Sequence, residues 1–322
     1  MPKILGPLNT VRNFLSVVRE VDFDEVRGRA ETPPRVMVVC DRTARGEEFI
    51  TTVFGHQMQR FIDIRTEWFA DIDGSRYDII VVLDPDGAGI LKQVQQAVGP
   101  DAPRKVVFAP MSQPEMTPRE ITGVQDSIVA LNLDLAPALG RKFPELRVAA
   151  VRAIIDETSK ANAQFALVSN VPAVIPIVGN IVAAGADLIV LTKNQVMMVF
   201  KIAAAHERDL NNQIAMMREL APVVGGGFLW RTVAREASSF LPLAAGTVPK
   251  VAIAYVGTVV MGRAADYYYR FGKKPTREHL REFTQLASES VSRLRISKSD
   301  ETASTSAEDK VDAIGQGDTV AR

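Results

Sequence analysis

The rhythm of hydrophobic positions changes near residue 143. Before it, short β-branched runs alternate with longer mixed segments; after it, the spacing is helical and rich in alanine. Val36-Met37-Val38-Val39-Cys40 is an unbroken apolar run ending at Asp41, as a strand buried on both faces would be. Phe61-Ile62-Asp63-Ile64 is a weaker run. Ile79–Leu83 is a strong one, followed by the turn Asp84-Pro85-Asp86-Gly87. Lys105–Ala109 is stopped by Pro110, and Ile128-Val129-Ala130-Leu131 predicts a last strand. Helical stretches such as Glu47–Phe54 and Ile90–Val98 fit between them. Such alternation predicts an α/β domain over residues 35–143, a parallel sheet with helices on both faces.

Residues 1–34 precede that domain. Their Thr10–Ala30 stretch reads as an amphipathic helix, with Val11, Phe14, Leu15 and Val18 on one face. Such a helix can dock on its own domain, on a partner or on a membrane surface. Pro33 and Pro34 end it.

Residues 144–297 predict an all-α domain with apolar helical hairpins. Positions 161–186 carry no charge and are interrupted by Pro172, Pro176, Gly179 and Gly185; a second apolar region, 237–262, is broken by Lys250. Thr276 after Pro275 can cap a last helix that carries Leu280, Phe283, Leu286 and Val291. The tail, 298–322, is polar and reads as disordered. A stretch of about 20 apolar residues can span a bilayer. The prolines, with Asn162, Gln164, Asn170 and Asn180, fit a soluble helix pair turning at Pro176–Gly179 equally well. Tyr267-Tyr268-Tyr269 beside Arg270, Phe271, Lys273 and Lys274 is a grouping that an inner-membrane interface favours. Insertion through 161–200 and 237–262 and a soluble helical core both remain open at this point.

Charge narrows the function classes. Lys+Arg and Asp+Glu each total 38, so no global field draws the chain to nucleic acid. The single Cys40 excludes an internal disulfide and a cysteine zinc cluster, and reads as a small core residue. His56, His206 and His279 are far apart, with no metal-ligand spacing; His206 and His279 read as surface residues. With no signal-peptide pattern, the N-terminus is expected in the cytoplasm.

The loop after the first strand is where an α/β domain would carry a phosphate-binding P-loop. That template needs two glycines, a lysine and a Ser/Thr. Aligned from the first strand, the first glycine is Asp41, the second is Gly46, the lysine is Glu47 and the Ser/Thr is Glu48. Three carboxylates replace the groups that would hold a polyphosphate, and each repels it. Where a guanine-reading Asn-Lys-x-Asp would follow, the chain reads Ala109-Pro110-Met111-Ser112. Asp71-Ile72-Asp73-Gly74 has only the common D-x-x-G spacing. A different reading pairs Asp41 with Asp84 at the carboxyl edge of the sheet. Tyr77–Asp84 resembles the phosphoacceptor strand of a response-regulator receiver, but no lysine follows the last predicted strand before Lys142. No G-x-S-x-G or H-E-x-x-H motif is present.

Residues 161–210 combine small residues with V-P-x-x-I-P-I-x-G and A-D-x-x-x-L-T-x-x-Q-x-x-M-x-x-x-I-A. Residues 257–276 end in G-R-A-A-D-Y-Y-Y-R-F-G-K-K-P-T. Over about 145–290 this resembles the helical domain of unknown function of YcjF-like proteins, which in GTPase-fused relatives follows an α/β guanine-nucleotide domain. The resemblance implies that residues 35–143 are a degenerate P-loop GTPase-like domain, departing from its relatives at Glu47 and at the base-reading motif. It implies an adaptor or membrane-associated role, and offers no catalytic residue to carry over. The expected function is therefore a non-catalytic, membrane-associated scaffold or adaptor with a protein partner. It would have no cofactor and no metal, and would act at the cytoplasmic face of the inner membrane or in the cytoplasm. The alternatives are a GTPase-like protein coupling nucleotide state to its helical hairpins, or a receiver-like phospho-switch.

Overall fold

The computed structural model describes residues 21–109, 116–168, 180–213, 215, 216, 218, 220 and 247–291. The expected helix over 10–20, the turn at Pro176–Gly179, the start of the second apolar region (237–246) and the tail 298–322 lie outside the described residues.

Four apolar runs become strands: β1 (Val36–Val39), β2 (Ile62–Arg65), β3 (Ile79–Val82) and β4 (Val106–Phe108). All pair in parallel in the order β2-β1-β3-β4, with Val36 opposite both Ile62 and Ile79 and Val82 opposite Phe108. A parallel sheet covered on both faces explains why β1 and β3 are apolar at every position. Alternate side chains divide between two cores. Val36, Val38, Ile79 and Val81 join α2 (Thr43–Phe54) on one face. Met37, Val39, Ile80 and Val82 meet α3 (Ile90–Val98), through Ile90 and Val94, on the other.

The fifth strand expected at Ile128–Leu131 is instead the end of a helix, α4 (Pro118–Leu131). Its start is strongly specified. Thr117 Oγ1 accepts from Glu120 N (3.3 Å), Glu120 Oε2 accepts from Thr117 N (2.8 Å), and Pro118 occupies the first turn. Val124, Ile128 and Val129 then fall on one helical face, against the sheet. The described sheet thus has four strands.

The Thr10–Ala30 helix is also revised. Its described part is not helical at residues 21–23, where Asp22 Oδ1 accepts from Asp24 N (2.9 Å), and a short α1 spans Asp24–Glu31. Phe23 is buried on Phe200, with ring centroids 4.5 Å apart, so this segment docks on the helical region.

Beyond α4 the chain is helical: α5 (Ala136–Lys142), α6 (Arg147–Val168), α7 (Asn180–Ala205), α8 (Thr247–Phe271) and α9, residues 277–291. As expected, Thr276 caps α9, its Oγ1 accepting from His279 N (3.3 Å). The change of architecture near 143 does not interrupt packing. Phe54 of α2 meets Phe143 edge-on at 5.2 Å, and one hydrophobic core runs from the α2 face of the sheet through α6, α7 and α8. Gly262 of α8 faces Ile155 of α6 and Met198 of α7, while Thr258 faces Asn162 and Gln195. Hence α8 runs antiparallel to α6 and parallel to α7.

Candidate functional site

Two places hold the residues singled out by the sequence: the carboxyl edge of the sheet and the interior of the helical bundle. At the first, β1 and α2 are joined by only Cys40, Asp41 and Arg42. The Asp41 carboxylate is held by Arg45 Nη1 at 3.0 Å and lies 3.7 Å from Arg42 Nε. Gly46 is not in a loop. It is buried inside α2, where an added Cβ would lie 2.9 Å from Ile64 Cγ2 and 3.1 Å from Cys40 Sγ. Its role is close packing of helix on sheet. Glu47 and Glu48 follow on the exposed side of that helix, and the Glu47 carbonyl accepts from Thr51 Oγ1 (2.8 Å). The four template positions therefore form no shared phosphate cradle.

Asp41 and Asp84 do come to neighbouring strand ends, each two residues beyond the paired Val39 and Val82. In doubly wound sheets of order 2-1-3-4-5, the crevice between the first and third strands is where ligands bind. Asp84 is nearly buried, and its Oδ1 accepts from Ala88 N (2.8 Å), tying down its own turn. No group of three or more His, Cys, Asp or Glu among the described residues could hold a metal ion. Cys40 is buried, as expected of a core residue. Its Sγ donates to the Arg42 carbonyl at 3.2 Å, and burial pushes the thiol above its ordinary value.

One feature of this edge had no sequence signal. Arg65, at the end of β2, donates to the carbonyls of Glu67 (2.8 Å) and Trp68 (3.2 Å). This fork holds Trp68 at φ 56°, a left-handed conformation unusual for a bulky residue, with the side chain 72% exposed.

Inside the bundle a polar cluster joins three helices. Thr258 Oγ1 accepts from Asn162 Nδ2 (2.9 Å) and Gln195 Nε2 (3.1 Å), and donates to the Ala254 carbonyl (2.7 Å). Asn194 Nδ2 donates to Asn162 Oδ1 (2.8 Å). Asn162 and Thr258 are fully buried. Met197 and Met198 pack in the hydrophobic core beside this cluster. His206 does not stand on the surface. Its side chain is 6% exposed and Nε2 lies 2.8 Å from Asp266 Oδ1, which Arg270 Nε also reaches at 3.1 Å. Its helical neighbours gave no hint of a partner on α8.

Beyond the polar cluster, on the side away from the sheet, four described apolar side chains are exposed. Leu167, Val168, Val190 and Ile253 are 55%, 69%, 38% and 42% exposed. The helix directions bring these three segments to the same end. Among the described residues, no helix is long and apolar enough to cross a membrane.

No protein family, curated protein or solved structure matches the chain.

Proposed function

We propose that this chain is a non-catalytic, membrane-associated scaffold. Exposed apolar side chains of its helical bundle dock on a lipid surface, and its α/β unit is offered to a protein partner. The observation that carries the reading is the apolar end made by Leu167, Val168, Val190 and Ile253. The sequence 169–179 between α6 and α7 carries no charge, so the apolar character continues along the chain. One continuous core behind that end ties it mechanically to the sheet. Trp68, exposed on a fixed backbone, is an anchor of the kind that dominates protein interfaces. The YcjF-like resemblance of residues 145–290 agrees with such a role.

Flotation of the purified full chain with phosphatidylcholine–phosphatidylglycerol vesicles tests it. The protein should float with the vesicles, and a Leu167→Glu, Val168→Glu, Ile253→Glu variant should stay at the bottom of the gradient. Parent protein that remains at the bottom at low salt would overturn the membrane reading.

A receiver-like phospho-switch is a second reading, favoured by Asp84 at the end of β3 beside Asp41 and by the strand order. Acetyl-phosphate labelling that disappears in Asp84→Asn would support it. The degenerate GTPase-like reading has only the YcjF-like resemblance in its favour.

A further inference from the structure

A cleft of about 560 Å³ opens between α6, α8 and α9, away from the carboxyl edge of the sheet and bordered by Asp266 and Arg270. This is within the usual range of small-molecule sites, about 300–1,000 Å³. One wall is aromatic: Tyr267 packs on Phe271 at 4.7 Å and on Phe283 at 6.5 Å between ring centroids. The other is aliphatic, with Val151, Ile155 and Val259.

The charged groups of the cleft are paired with one exception. Arg152 Nη1 binds Asp126 Oδ2 at 2.8 Å, and Asp156 Oδ2 binds Lys160 Nζ at 2.7 Å. Asp266 Oδ1 is taken by His206 and Arg270. Arg263 lines the same cleft, half-buried, with no hydrogen-bond or ion-pair partner among the described residues. The three carboxylates nearby are already committed. A cation drawn part-way out of water without an anion is costly to keep. Guanidinium is also the group whose planar fork best fits a carboxylate.

We propose that this cleft is a binding site for a small amphipathic carboxylate. The carboxylate would pair with Arg263, and the apolar body would lie between the Tyr267–Phe271–Phe283 wall and the aliphatic wall. The site involves no chemical step. It is independent of the membrane reading, since Arg263 is not part of the apolar end.

Calorimetric titration of the full chain with sodium decanoate tests the assignment, with decanol as the uncharged control. Decanoate should bind, and decanol should bind at least about tenfold more weakly, the worth of one charge-assisted pair. Arg263→Gln should lose decanoate binding by a similar factor while keeping the parent's circular dichroism spectrum. Arg263→Lys, which keeps the charge but not the fork, should fall between, and it decides the matter if the glutamine variant fails to fold. No decanoate binding by the parent, equal binding of decanol, or parent-like affinity in the folded substituted protein would overturn the assignment.

Discussion

Asn162 and Thr258, 96 positions apart, share a 2.9 Å hydrogen bond in the fully buried centre of the helical bundle. The same hydroxyl also accepts from Gln195, so a single oxygen joins α6, α7 and α8. Removing it would strand two amide donors where water does not reach. Thr258→Val should therefore lose about 2–4 kcal/mol, while Thr258→Ser, which keeps the oxygen, should stay within about 1 kcal/mol of the parent. Urea unfolding followed by circular dichroism measures both.

Two helical glycines should respond to alanine with opposite sign. At Gly262 a Cβ would lie 2.6 Å from Ile155 Cγ1 and 3.2 Å from Met198 Sδ. Gly262→Ala should destabilise by about 1–3 kcal/mol through overpacking. At Gly28, on the exposed side of α1, nothing lies within 4 Å of the new methyl. Gly28→Ala should stabilise by about 0.5–1 kcal/mol, because alanine loses less backbone entropy in a helix. Thermal melts of the two variants should move in opposite directions.

Alkaline pH should weaken the fold at Tyr255. Burial, and after it the Asp156 carboxylate, push this phenol above its ordinary value of 10.0, although a hydrogen bond with Ser159 opposes the shift. The folded chain then keeps a proton that the unfolded chain gives up. The stabilising difference is complete below the unfolded value, and stability falls as pH rises past it. Urea midpoints measured from about pH 9 to 11 should drop further for the parent than for Tyr255→Phe. Identical slopes would mean that the phenol titrates alike in both states.

Micromolar GTP should give no binding heat in calorimetry. Three residues between β1 and α2 leave no room for a loop of backbone N–H groups around a polyphosphate. Glu47 and Glu48 already stand on the exposed side of α2. Glu47→Lys combined with Glu48→Ser should therefore create no affinity, because the missing part is the loop. Saturable GTP binding by either protein would contradict this.

The strands were legible because burial on both faces removes polar residues from consecutive positions, as at Val36–Val39 and Ile79–Val82. Ile128–Leu131 misled for a related reason. Four apolar residues fit a buried strand or one helical turn alike, and only the capping pair Thr117 and Glu120, several residues upstream, distinguishes them. Gly46 looked like part of a phosphate loop because spacing alone does not show whether a glycine frees the backbone or lets a helix approach Ile64. His206 looked solvated because its partner, Asp266, lies 60 residues further along the chain.

By itself, the sequence determined where apolar periodicity switches from strand to helix, where Thr276 starts the last helix, and that no cysteine or histidine cluster is spaced for a metal. These are short-range properties, carried by propensity and by side chains within a few residues of one another. Tertiary structure alone decided the strand order β2-β1-β3-β4, the three-helix contacts of Thr258, the burial of His206 on Asp266 and the place of Arg263 in its cleft. Each depends on which distant segments share a surface. Packing of the whole core selects those partners, and no local pattern in the chain encodes them.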